Sequence, residues 1–308
     1  MIAFFANIFG YVLNFIYDLV KNYGLAIIIF SILVKLLMIP ISIKQQKTMK
    51  KSTKIQKKMK EIQFKYKNNP EQLNQATMEL YKSENMSPFS GCFSAIAQII
   101  LLFAVFYLVR SPLTYMKKVD DDVVNKYAKI IKENDLSTNS AYPQIEIIRE
   151  IDNIRNLRNN INDNEEQNTD LSEINDDELN SLYINMDFLG LNLAQVPTRS
   201  SDWKAYIIPV LYVVVSIISM RITNPTKKQQ KQENLEENEN EKSLAKPEDD
   251  FDPMAQMNKN MNMMFPIMYV AVALVAPLGL ALYWLMNSLL MIIERLILNK
   301  LLKDEEEE

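Results

Sequence analysis

The chain contains no histidine, which removes the commonest general base and the commonest metal ligand. Its single cysteine, Cys92, excludes an intrachain disulfide. No basic residue flanks Cys92 to lower its thiol pKa, so it reads as a small packing residue rather than a nucleophile. Glycine is scarce, at 5 of 308 residues, and we attach no functional weight to that bias. Residues 1–20 lack a basic n-region and an A-x-A cleavage site, so they do not read as a secretory signal. The absence of a lipobox cysteine near the start argues against a lipoprotein form. No internal repeat is visible, which argues against the paired halves of many transporters.

What is present is a segregation of apolar blocks from charged connectors. Five membrane-crossing candidates stand at residues 24–43, 89–109, 203–220, 261–277 and 279–298. About 20 residues cross a typical hydrocarbon core, so the third and fourth are short. Residues 1–22 carry a helical stripe of Phe5, Ile8, Val12, Phe15 and Leu19, with Asn7, Asn14, Asp18 and Lys21 opposite. That pattern predicts an amphipathic helix lying in the interface. The fold class expected is an all-α polytopic membrane protein of five transmembrane helices around a hydrophilic groove.

The connector 44–88 holds eleven lysines and four glutamates, which places it in the cytoplasm by the positive-inside rule. Ile55, Met59, Ile62 and Tyr66 recur at helical spacing, Asn68-Asn69-Pro70 interrupts them, and Leu73, Ala76, Leu80 and Tyr81 resume the pattern. A basic helical hairpin is expected there. The connector 111–202 counts nine basic against eighteen acidic residues and is expected outside. Helices are expected over 123–131 and 145–158, a mobile Asn/Asp/Glu-rich stretch over 159–180, and an apolar segment resting on the membrane over 181–196. Residues 222–260 form a cytoplasmic low-complexity loop, 261–298 a transmembrane hairpin turning at Pro277-Leu278-Gly279, and 299–308 an acidic cytoplasmic tail. The first span is set at 23–43, the second at 89–110 and the third at 203–221, with the N-terminus outside and the C-terminus inside.

Lys35 is the only charge in the apolar run Leu25–Ile43. A lysine near the centre of a spanning helix costs about 2.5–3.5 kcal/mol on insertion scales. The helix puts roughly 13 Å between Lys35 and Lys44 at about 1.5 Å per residue, and a lysine side chain reaches about half of that. Lys35 therefore points to a polar pocket within the membrane. The rival reading, a buried carboxylate partner, finds no Asp or Glu placed at mid-span.

Several blocks then fall into one order. They are Tyr23-Gly24-Leu25-Ala26-Ile27-Ile28 leading to Lys35-Leu36-Leu37-Met38-Ile39-Pro40, then the basic hairpin. Ser87-Pro88-Phe89-Ser90-Gly91-Cys92-Phe93 follows with Gln98, and finally Met263-Met264-Phe265-Pro266, Pro277-Leu278-Gly279-Leu280 and Leu282-Tyr283-Trp284-Leu285-Met286-Asn287-Ser288. The pattern resembles the YidC family of membrane protein insertases, within the YidC/Oxa/Alb superfamily, in its five-span form. It covers the five spans and the first hairpin, roughly two-thirds of the chain.

The resemblance implies a hydrophilic groove open to the cytoplasm and to lipid, with a positive residue on the first core span. In bacterial members that residue is usually arginine; here the matching position is Lys35, which keeps the charge without the guanidinium fork. Gln98, Trp284 and Asn287 are the further groove residues expected. The implied function is insertion: a short polar segment of a nascent membrane protein crosses while its apolar helix passes into lipid. The implied partners are nascent membrane proteins with acidic N-terminal tails, membrane lipids, and the Sec translocon, signal recognition components and ribosome through the basic hairpin. The tail ends in Asp304 and four glutamates, unlike the basic tails of many family members, so ribosome contact by the tail is not expected. The implied location is the bacterial cell membrane. Neither a catalytic residue nor a cofactor or metal site is expected.

Three rival functions stand beside insertion. An assembly chaperone acting only with the Sec translocon is not separable by sequence. A Ser–Lys intramembrane hydrolase would use Lys35 with Ser31, Ser90 or Ser94. A channel or small-solute transporter is disfavoured by a lone intramembrane cation and the lack of repeats.

Overall fold

The computed structural model describes residues 2–66, 69–84, 90–136, 141–161, 174–223 and 270–307. Helix α1 (Ile2–Val20) packs on α2 and α4, burying Ala6, Gly10, Leu13, Ile16 and Tyr17. Ile8, Phe15 and Leu19 of the expected stripe face outward, together with Phe4 and Tyr11. Helix α2 (Tyr23–Lys65) is 43 residues long. It opens at the N-cap Asn22, whose side chain accepts from the Leu25 amide at 3.0 Å, satisfying one of the first-turn donors. The apolar first span and the basic arm after it are thus one helix, which passes Pro40 and Lys44 without a break.

The hairpin closes with α3 (Pro70–Ser83). Asn69 caps it by accepting from the Gln72 amide at 3.2 Å, and Pro70 stands in the first turn, where its missing N–H costs nothing. Ile55 and Leu80 are buried, and Lys58 reaches Glu84 at 2.6 Å. The break at Asn69-Pro70 and the resumed periodicity therefore fold back on the arm of α2.

Helix α4 (Ser90–Arg110) covers the second apolar block and ends at Arg110. A short α5 (Pro112–Tyr115) leads into the connector. There α6 (Asp121–Glu133) and α7 (Pro143–Ile161) contain the two stretches expected to be helical. A third helix, α8 (Asp176–Leu182), begins within 159–180, where the sequence suggests mobility, and ends at the start of the apolar 181–196 segment. Its Leu179 and Leu182 are fully buried, and they supply the apolar anchor that an Asn/Asp/Glu count hides. Lys126 of α6 reaches Glu178 at 3.3 Å, and Arg158 of α7 reaches Asp176 at 2.8 Å. The remainder of that acidic stretch, 162–173, lies outside the described residues.

Residues 187–192 form a two-residue-turn hairpin, β1 (Asp187–Phe188) and β2 (Leu191–Asn192), with Asp187 opposite Asn192. Leu189 and Gly190 both take positive φ, 51° and 77°, the geometry that suits the right-handed twist of a tight hairpin. Two 3-10 turns, Pro197–Arg199 and Trp203–Tyr206, lead into α9 (Ile207–Thr223). Residues 270–275 are helical, and after Pro277 the chain enters α10 (Leu278–Glu307), which carries the fifth apolar block and most of the acidic tail in one helix. The remainder of the fourth block, 261–269, lies outside the described residues, as do Pro266 and the loop 224–260.

Among the described residues, Ile2–Val20, Tyr23–Thr48 and Leu278–Leu298 are long and apolar enough to cross a membrane, and Ile99–Arg110 and Trp203–Ser219 are shorter apolar helices. Large apolar side chains stand outward along these helices: Ile29, Leu33, Leu36 and Leu37 on α2, Val210, Val214 and Ile218 on α9, and Ile293, Leu296 and Ile297 on α10. Such faces are satisfied by lipid tails, where apolar exposure carries no hydration cost.

Candidate functional site

The 183–196 segment is knotted to the helix ends rather than merely lying on a surface. The Tyr23 amide donates to the Asn185 carbonyl at 3.0 Å, and the Asn22 side chain donates to the Asp187 carbonyl at 2.6 Å. The Asn185 amide donates to the Tyr17 hydroxyl at 2.9 Å. At the other helix pair, the Leu278 amide donates to Gln195 and the Gly279 amide to Leu193, each at 2.9 Å. These are first-turn amides, which have no acceptor within their own helices. The segment therefore straps the starts of α2 and α10 together at one end of the bundle. The sequence reading of 181–196 caught its apolar character but not these backbone bonds, which no side-chain pattern encodes.

Further along the same two helices, Lys35 of α2 meets Glu294 of α10, Nζ to Oε2 at 2.6 Å. Their side chains are 17% and 13% exposed. The sequence reading placed no carboxylate at mid-span; this contact corrects it. Glu294 sits between Ile293 and Arg295 near the end of the last apolar block, where it reads as one of the charges flanking the membrane. Its position was nonetheless legible: it lies seven residues past Asn287, about two helical turns, and so on the same face of α10. Leu36 and Leu37, next to Lys35, are 60% and 68% exposed. The charge thus turns into the bundle while its neighbours turn away.

Trp284 is buried and Asn287 half-buried, both on α10 toward its strapped end. Gln98 lies on α4, but its side chain is outside the described residues, as are those of Cys92, Ser90 and Ser94. Ser31, one turn before Lys35, is buried and donates its hydroxyl to the Ile27 carbonyl at 2.7 Å. A serine bonded back to its own helix, beside a lysine whose ammonium faces a carboxylate, is not arranged as a nucleophile and base. Among the described residues, no group of His, Cys, Asp and Glu could hold a metal ion.

A helical bundle with outward apolar faces and an ion pair turned inward defines the class: a multi-pass α-helical membrane protein. A family model described as 60Kd inner membrane protein matches residues 15–306, and the chain belongs to that family. A protein named membrane protein insertase YidC from Caldanaerobacter subterraneus subsp. tengcongensis is 38% identical over 109 residues, covering 35% of this chain and 53% of the relative. One of the same name from Fusobacterium nucleatum subsp. nucleatum is 39% identical over 102 residues, covering 33% and 50%. Another, from Chlorobaculum tepidum, is 44% identical over 100 residues, covering 32% and 17%. The chain thus spans from 17% to about half the length of these relatives.

Proposed function

We propose that this protein is a membrane protein insertase, which moves short polar segments of nascent membrane proteins across the bilayer and releases their apolar helices into lipid. The observation that carries this reading is Lys35, a charge turned into the bundle from an otherwise apolar span, within a family whose relatives bear the insertase name. A polar path beside Lys35 shortens the dry distance for an acidic tail. Lipid partitioning of the apolar segment and the membrane potential, about 2.3 kcal/mol per charge per 100 mV, supply the drive. No bond need be made or broken.

In this reading Lys35, Gln98, Trp284 and Asn287 line the groove. The strap at residues 183–196 holds the bundle shut at the outer end, so that entry is from the hairpin end and from lipid. The lysine-rich arm of α2, with α3 folded back on it, lies in the cytoplasm with the C-terminus, and the N-terminus lies outside, as the loop charges favour. The hairpin receives the substrate first, and its lysines offer electrostatic contact to ribosomal RNA or to targeting components. Helix α1 rests at the outer interface with Phe4, Ile8, Phe15 and Leu19 in lipid.

The test is capture of a nascent chain. A photoreactive residue at position 287, facing the proposed groove, is expected to crosslink a stalled single-span substrate, whereas one at outward-facing position 37 crosslinks lipid or only the emerging apolar helix. Capture of the polar tail at 37 and not at 287 would contradict the groove.

A further inference from the structure

The Lys35–Glu294 contact bears on which substrates the groove accepts. It is one bond, Nζ to Oε2. Glu294 Oε1 is buried and has no hydrogen-bond partner among the described residues. A carboxylate withdrawn from water with half its acceptor capacity unmet is poorly compensated. An ammonium has three donors, and this carboxylate fills one of them at the described contact. Glu294 is thus close enough to neutralise Lys35 but not bonded well enough to hold it firmly. Any carboxylate that reaches Lys35 from a substrate enters against a resident one.

We propose that Glu294 is an internal competitor for Lys35, which sets how acidic a translocated segment must be before the groove accepts it. The inference rests on the insertase reading and adds to it a specificity-determining residue. With the pair closed, the groove is near neutral and a polar segment without acids finds no charge to draw it in. A tail with several carboxylates supplies both a higher local concentration of anions and a replacement that keeps its remaining hydration. Glu294 is then released on α10, the helix that also carries Trp284 and Asn287.

The experiment uses the full chain in liposomes and three single-span substrates whose tails carry zero, one or three carboxylates, scored by protease protection. Wild type is expected to favour the three-acid tail strongly over the one-acid tail. In Glu294→Gln that ratio is expected to fall by about fivefold, the size of a pair worth roughly 1 kcal/mol. Glu294→Asp, which keeps the charge, is expected to retain the steep preference. An unchanged ratio in Glu294→Gln overturns the inference while leaving the insertase reading intact. Insertion of none of the three tails by wild type overturns both. If Glu294→Gln does not accumulate folded, wild type carries the test: the reactivity of Glu294 toward a membrane-soluble carbodiimide, mapped by mass spectrometry, is expected to rise when a stalled three-acid tail is bound and to stay level with a zero-acid tail. Equal reactivity in both cases overturns the inference.

Discussion

Phe188 of the strap packs against the backbone of Gly24, in the first turn of α2, so closely that a Cβ at residue 24 would overlap its Cβ and ring. Relieving the overlap means shifting the β1–β2 hairpin, whose Asp187 carbonyl accepts from Asn22 and which follows Asn185, the acceptor for the Tyr23 amide. Gly24→Val is therefore expected to cost about 1–3 kcal/mol, the usual range for overpacking, and to loosen the strap. Limited proteolysis within 183–196 should accelerate in Gly24→Val. Combining it with Phe188→Gly, which removes both the ring and the Cβ that meet residue 24, should bring the cleavage rate back toward that of Phe188→Gly alone.

The Lys35–Glu294 pair should behave as a coupled unit in stability as well as in selection. Removing one partner leaves a poorly solvated charge, so Lys35→Met and Glu294→Leu are each expected to cost about 2–3 kcal/mol, below the range for fully buried pairs because both groups keep some exposure. Lys35→Met combined with Glu294→Leu removes both charges and should recover most of that loss. A double-mutant cycle on thermal unfolding in detergent checks it, and a coupling energy under about 0.5 kcal/mol would mean the pair is not formed in solution.

Helix α1 meets the start of the connector at Gly10, where a Cβ would collide with the carbonyl of Tyr115. The obstacle is backbone, not a side chain that can rotate away. Lys118 reinforces the same contact by donating to Asn7 Oδ1 at 2.7 Å and standing over the Tyr11 ring at 4.2 Å. Gly10→Ala should detach α1 from α5, raising hydrogen exchange in residues 2–20 selectively, whereas Asn7→Ala should produce a smaller rise in the same segment.

The connector domain should fail at alkaline pH. Burial pushes the Tyr127 hydroxyl well above its ordinary range, with the Glu178 carboxylate adding to it. Burial also raises Tyr142, partly offset by Arg110. A raised tyrosine pKa means that the fold keeps a proton the unfolded chain gives up, so this stability is whole below about pH 10 and is lost as pH rises above that. Lys117 acts in the opposite sense: burial lowers it below 10.5, so the folded state carries a penalty for its ammonium that fades as pH climbs through the lowered value. Burial lowers Lys118 in the same sense, but the fully buried Tyr127 hydroxyl faces the larger cost of ionising and sets the direction. Tyrosinate absorbance should lag behind free tyrosine and then rise together with loss of near-ultraviolet circular dichroism, and Tyr127→Phe should flatten that alkaline loss. Smooth titration near pH 10 with unchanged dichroism would contradict the assignment.

The helices that form the bundle were largely legible from apolar block lengths, and the hairpin from the interrupted periodicity around Pro70, because both depend on local pattern. Lys35 was legible as a problem needing an answer, since a lone charge among Leu and Ile is costly wherever the fold puts it. Glu294 was not recognised as that answer: in sequence it is 259 positions away and neighbours Arg295, so its depth depends on how α10 is set against α2. The strap was invisible for a different reason. Its bonds run from backbone amides of Tyr23, Leu278 and Gly279 to backbone carbonyls, and these carry no residue-type signature. Helix α8 was hidden because two buried leucines sit among four Asp, Glu and Asn residues.

The most direct test of the central claim is reconstitution into liposomes with a small single-span substrate bearing an acidic translocated tail, scored by protease protection for wild type, Lys35→Arg and Lys35→Glu. A positive charge facing the groove predicts that wild type and Lys35→Arg protect the tail and that Lys35→Glu, which sets two carboxylates against each other at Glu294, does not. Equal protection by all three would contradict the account, leaving Lys35 as a structural partner of Glu294 and nothing more.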